Sequence, residues 1–275
     1  MARRRTGLRL GCGVVVLVLL IAAAVGVYWA RSNEYLDPLP FEDRCTVGRI
    51  TLSPEQAANV SVIVGVAVRR GLPDTAATVA VATAYQESGL RNLAHGDRDS
   101  LGLFQQRPSK GWGSAEQIMD PHYATEAFYN ALLQVPDWEL MTVNDAAQAV
   151  QRSGHPEAYA KHEQASQTLD AVFSGQRWAA LECFNRSRAA GNAVTLAQSI
   201  SRTLGQGNTA TEQNTLIVRT DSPEHAWAVA YHAVANAGEH GVVSVATMNL
   251  RHSIGSQNWI RGAATAGNEV RITLR

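Results

Sequence analysis

The chain has 275 residues, enough to bury a sizeable core in one large domain or two smaller ones. Its 24 Lys+Arg balance 24 Asp+Glu, so no net charge draws it to nucleic acid, and DNA or RNA is excluded as a partner. With 45% hydrophobic and 17% charged residues it is neither disordered nor fibrous.

Residues 1–31 read as a cytoplasmic tail and anchor. The run 10–30 holds 21 uncharged, mostly apolar residues behind Arg3, Arg4, Arg5 and Arg9. Such a run reaches about 30 Å as a helix, one hydrocarbon core. Arginines before it and Glu34, Asp37, Glu42 and Asp43 after it place the N-terminus in the cytoplasm and the rest outside. The expectation is a single-pass protein of the cell membrane, with the bilayer as partner through this helix. The alternative is a secretory signal cleaved after Ala22, Ala23 and Ala24. Cys12 lies in the membrane run, so Cys45 and Cys183 are the exported pair, and an oxidising compartment would let them bridge. Metal binding by two lone thiols is the weaker reading.

Residues 32–52, with Pro38 and Pro40, read as a tether. Ser53-Pro54-Glu55-Gln56 opens a helix to about residue 71: Ser as N-cap, Pro in the first turn, Gln as the reciprocal cap. Asp74, after Pro73, caps a second helix whose body (76–85) is Ala, Val and Thr with no charge on any face, which belongs in the middle of a core. Further helices are expected near 121–135, 143–153 and 156–174, with Asp120-Pro121 and Pro156 marking starts. A composition shift over 185–193 marks a boundary. Beyond it, 195–275 reads as a small α/β module: helices at 195–204 and 222–237, strands at 215–218, 242–246 and 270–274.

The uncharged second helix ends in Gln86-Glu87-Ser88-Gly89. Glu87 would face the negative end of the helix dipole in partly apolar surroundings, and both effects favour the protonated acid. A carboxyl that keeps its proton can donate it to a leaving oxygen, as glycosidase general acids do. The alternative is an ordinary Glu on a solvated last turn.

Glu87-Ser88-Gly89-Leu90, followed by Gly96-Asp97 and by Gly102-Leu103-Phe104-Gln105, resembles the signature of the lysozyme-like superfamily, closest to soluble lytic transglycosylases and goose-type lysozymes. The longer string over 99–113 is similar to that of exported actinobacterial members. The resemblance covers roughly residues 53–175. It implies a mainly α, lysozyme-like domain over 53–184, after a single N-terminal transmembrane helix and before the small C-terminal α/β module.

It further implies a membrane-anchored enzyme that cuts the β-1,4 bond between N-acetylmuramic acid and N-acetylglucosamine in peptidoglycan glycan strands. Glu87 matches the catalytic acid. Ser88 and Gln105 match positions that hold the acid's surroundings and the substrate's polar groups, and Gly102 matches a close approach of backbone to sugar. Asp97 matches a carboxylate proposed to activate water in goose-type enzymes, with Asp99 as second choice; turn chemistry is the alternative for both. Tyr159 and Gln151 correspond to the aromatic and the Asn of the family's third motif, whose full string is missing.

Goose-type enzymes often carry another acid just after the Gly-Leu-Met-Gln block, where this chain has Gln106 and Arg107. That departure favours a single acid and lytic transglycosylase chemistry over a muramidase, which uses two carboxyls about 6.5–9.5 Å apart when it inverts. It also motivates an alternative, a non-catalytic glycan-binding or envelope-assembly protein with a degenerate groove. Trp112, between Gly111 and Gly113, is either a sugar platform or a lid over the core. His155/His162 and His225/His232 are each seven apart, about 10 Å along a helix and too far to grip one ion alone. No metal or cofactor is expected.

Overall fold

In the computed structural model, which describes residues 43–275, the chain enters through a hairpin where a tether was expected. β1 (Arg44–Val47) pairs antiparallel with β2 (Ile50–Leu52) across a turn in which Gly48 takes a left-handed φ of 58°. On its other edge β1 pairs with β3 (Leu181–Phe184), giving a three-stranded sheet in the order β2-β1-β3. Cys45 lies directly opposite Cys183 in that register, and the two form a disulfide.

The reciprocal cap at Ser53 is made. Ser53 Oγ accepts from Gln56 N at 3.2 Å, and Gln56 Oε1 accepts from Ser53 N at 2.8 Å. It starts α1 (Pro54–Arg69), whose middle is buried on almost every face. The next helix, α2 (Asp74–Ser88), has Pro73 rather than Asp74 as N-cap; Asp74 is its first helical residue. Its uncharged body is buried from Ala76 to Ala84, and Gly89 closes it with a φ of 63°. A helix apolar all round is stable only when surrounded. α4 (Pro121–Leu132), α5 (Val143–Gln151) and α6 (Glu163–Phe173) supply that surround, with the short α3 (Ala115–Ile118) leading into α4. The helix expected from Pro156 begins only at Glu163, after a single 3-10 turn, Ala160–His162.

The C-terminal part opens with α7 (Ala193–Leu204) and then β4 (Asn208–Glu212), β5 (Thr215–Arg219), α8 (Pro223–Ala235), α9 (Ala237–His240), β6 (Val242–Thr247), β7 (Leu250–Ser253), β8 (Ile260–Arg261) and β9 (Glu269–Leu274). The strands form a six-stranded sheet in the order β4-β5-β9-β6-β7-β8, every neighbour antiparallel. α8 packs on this sheet with Trp227 and Tyr231 fully buried, and both rings meet Trp259.

This architecture corrects the expected fold class, a mainly helical domain carrying a small separate module. Residues 43–275 form one compact mixed α/β unit. The physical reason is that the faces of α1 that the other helices leave bare are covered by α7 and α8, so one hydrophobic core runs from Cys45 to Leu274. A Cβ at Gly65 on α1 would lie 2.4 Å from Thr203 on α7, so the helices meet where only glycine fits. Deeper in the same seam, His232 of α8 is fully buried between Ser61 Oγ of α1 (3.1 Å) and Ser199 Oγ of α7 (2.8 Å). Burial, then the charges of His122 and His240, pushes that imidazole down to about 3, so it is neutral in the core. The expected transmembrane helix lies outside the described residues; among those described, no helix is long and apolar enough to cross a membrane.

Candidate active site

Glu87 sits in the last turn of α2, half-buried, on the wall of a cleft of about 890 Å³. That volume is in the range of small-molecule sites. Its surroundings are built by two clamps on the block over residues 102–105. Ser88, the next residue of α2, donates from Oγ to Leu103 O at 2.7 Å, with Ala84 O 3.0 Å from the same hydroxyl. From the other side Gln151, the last residue of α5, donates from Nε2 to Phe104 O at 2.8 Å. Two successive carbonyls are thereby tied to two different helices. Phe104 is buried, stacks on Phe128 at 4.7 Å and fills the space beneath.

Held in this way, the block forms a tight turn between Leu101 and Gln106, which exchange backbone hydrogen bonds at 2.9 and 3.0 Å. Gln105 ends it with a φ of 48°, and its side chain lines the cleft while donating to Gly102 O at 3.2 Å. Gly102 itself is buried. With a φ of +75°, and with a Cβ there 2.7 Å from Ile118 O, glycine is required by the protein's own backbone, and Gly102 does not line the cleft. Ser88 is likewise 7% exposed and serves the wall from behind.

Tyr159 is the contact that gives Glu87 its orientation. Its phenol donates to Glu87 Oε1 at 2.7 Å, and among the described residues Glu87 has no other side-chain hydrogen bond. Burial first, then Glu87, raises the phenol's pKa, so it stays protonated as a donor. The loop that carries Tyr159 is fixed by Asn144 near the start of α5: Nδ2 donates to Pro156 O at 2.8 Å, and Oδ1 accepts from Tyr159 N at 3.2 Å. This double tie also explains why no helix starts at Pro156. α5 therefore reaches the site twice, through Asn144 and Tyr159 and through Gln151 and Phe104. Behind Glu87, His162 stacks on Tyr85 at 4.7 Å with Nε2 3.2 Å from Gln86 Oε1; burial, then Lys161, lowers its pKa.

The two aspartates part company. Asp97 lines the cleft at its rim with 89% of its side chain exposed, and its nearest cation is Arg98 Nε at 3.9 Å. Asp99 accepts from Ser109 N at 2.8 Å and from Arg107 Nε at 2.7 Å. The Ser109 hydroxyl and N–H, then Arg107, hold its carboxyl well below the usual range. A carboxylate accepting from both Ser109 N and Arg107 Nε is poorly placed to take a proton from water. Trp112, half-buried, completes the lining of the same cleft.

Glu87, Asp97, Gln105, Trp112 and Gln151 thus share one cleft, Tyr159 reaches Glu87 from beneath, and Ser88 and Gly102 stand behind the wall. Sequence reasoning missed Asn144, whose signal is an Asn buried at a helix start. It also missed two cations of the lining, Lys110 and Arg152. Among the described residues no group of three or more His, Cys, Asp or Glu is placed to hold a metal ion. No protein-family model matches the sequence, and no curated protein matches it.

Proposed function

We propose that Glu87 is the acid of a glycan-cleaving centre that cuts the β-1,4 bond between N-acetylmuramic acid and N-acetylglucosamine in peptidoglycan, by lytic transglycosylase chemistry. The observation that carries this reading is the Tyr159–Glu87 hydrogen bond beneath an open cleft. Oε1 accepts from the phenol, which fixes the carboxyl of Glu87 on the wall of that cleft. The resemblance of the blocks at 87–90 and 102–105 to those of lytic transglycosylases supports the substrate class.

In the first step Glu87 gives its proton to the glycosidic oxygen as the C1–O4 bond breaks. In the second the resulting carboxylate takes the proton of the sugar's own C6 hydroxyl, whose oxygen bonds to C1. The products are one strand with a 1,6-anhydro end and one with a free 4-hydroxyl, and Glu87 is protonated again. One carboxyl therefore suffices. A single acid is favoured because Asp99 is tied to Ser109 and Arg107, while Asp97 has no contact that would fix it over a water. The arginine-led apolar run at 10–30 would hold this centre on the outer face of the cell membrane.

The test is the mass of products released from purified peptidoglycan by the full-length protein. The reading expects 1,6-anhydro ends. Reducing ends would replace it with hydrolysis, and release of no fragment would leave a glycan-binding role.

A further inference from the structure

Two cations of the cleft are unspent. Arg107 is engaged by Asp99 and Ser109, but among the described residues the Arg152 guanidinium and the Lys110 ammonium have no hydrogen-bond or ion-pair partner, and both line the cleft that holds Glu87. Arg152 also stands in an unusual place. It is the C-cap of α5 with φ 53° and ψ 43°, a left-handed conformation that glycine takes freely and an arginine takes at a cost. The helix dipole favours a basic residue anywhere in the last turn. It does not explain one at the position the backbone prefers to give to glycine. The strain is consistent with a need for that side chain in the cleft.

We propose that Arg152 and Lys110 form an anion subsite that selects glycan carrying a free carboxylate near the scissile bond. The inference rests on the reading of the cleft as a glycan site and names the class of strand it prefers. A guanidinium's planar fork matches a carboxylate with two parallel hydrogen bonds, and an ammonium lining the same cleft adds a second charge. A strand of N-acetylglucosamine alone offers no such group. A muramyl strand offers it from two sources, the lactyl ether of the sugar or a peptide attached there.

The test is titration calorimetry on the full-length Glu87→Gln protein, which binds without turnover. Three tetrasaccharides serve as probes: an N-acetylglucosamine oligomer, a peptide-free muramyl oligomer with lactyl carboxylates, and a muramyl oligomer whose carboxylates are on stem peptides. Each is titrated into that protein and into versions with Arg152→Gly or Lys110→Gln added. Glycine suits the backbone at 152, so an unchanged circular dichroism spectrum and melting curve confirm that α5 keeps its end. Each substitution is expected to weaken at least one acidic oligomer about fivefold at low salt and less at high salt, while the neutral oligomer shifts by less than about twofold. The oligomer that responds identifies the source of the carboxylate. Equal losses on neutral and acidic probes, or none on either acidic probe, overturn the subsite and leave the glycan reading standing. No binding of any probe overturns both.

Discussion

The Tyr159 phenol donates to Glu87 Oε1 at 2.7 Å, joining residues 72 apart in the chain. Tyr159→Phe removes only that donor from a buried ring. A hydrogen bond of this kind is worth about 1 kcal/mol, so kcat on peptidoglycan is expected to fall about five- to tenfold, with the melting temperature lowered by no more than about 4 °C. A rate equal to wild type would mean that the phenol does not orient the acid.

Asp170 of α6 is 4% exposed, and Thr78 donates to it at 3.3 Å. Burial, then the charge of Asp74, raises its carboxyl to about 7 from 3.8. A folded-state pKa above the unfolded one means that folding binds a proton, so this group costs nothing below the unfolded pKa and costs progressively more as pH rises to the folded one. Asp170→Asn keeps the shape without the charge. It is expected to match wild type near pH 4 and to exceed it at pH 8 by on the order of 4 kcal/mol, read from denaturant unfolding at both pH values. An equal difference at the two pH values would contradict the burial argument.

His232 works in the opposite direction. Its folded-state value of about 3 lies below the ordinary 6.5, so the unfolded chain binds the proton first. The stability it contributes is complete above the unfolded pKa and is lost as pH falls toward the folded one. His232→Gln should flatten the acid limb of the stability curve by about 1.4 kcal/mol per pH unit between about pH 6 and 4. Parallel acid limbs in the two proteins would place the pH sensitivity elsewhere.

The Cys45–Cys183 bridge spans 138 residues and ties the entry hairpin to β3. Reduction, or Cys45→Ala with Cys183→Ala, is expected to lower the unfolding free energy by about 2–5 kcal/mol, measured by denaturation with and without reductant. Identical midpoints would show that the hairpin register alone holds that sheet.

The features legible in the sequence are those set within a few residues. Ser53 and Gln56 cap each other across three positions, Asp120 caps Pro121–Leu132 by accepting from His122 N, and the uncharged body of α2 declares its own burial. What was hidden depends on partners far away. β4 is Asn-Thr-Ala-Thr-Glu, exposed along its whole length, and is a strand because β5 lies beside it. β1 and β3 are four residues each and find one another across the helical part. The expectation of a mainly helical fold class failed on α1, because its pattern shows that it is buried and not by what.

The candidate site divides in the same way. Glu87 announces itself as a polar group ending an apolar helix. The reach of Tyr159 depends on Asn144 holding Pro156 O and Tyr159 N, a tie that overrides the helix start proline normally signals. Gly102 was expected to meet sugar and instead meets Ile118 O, since a turn glycine shows from sequence that something comes close without showing what.

The most direct measurement is release of soluble fragments from purified peptidoglycan by the full-length protein and by its Glu87→Gln variant, side by side. The account predicts release by the wild type and a rate about 10²–10⁴-fold lower in the variant, whose amide keeps the shape and lacks the proton. Equal release by both proteins would contradict the role given to Glu87, and release by neither would contradict the cleavage itself.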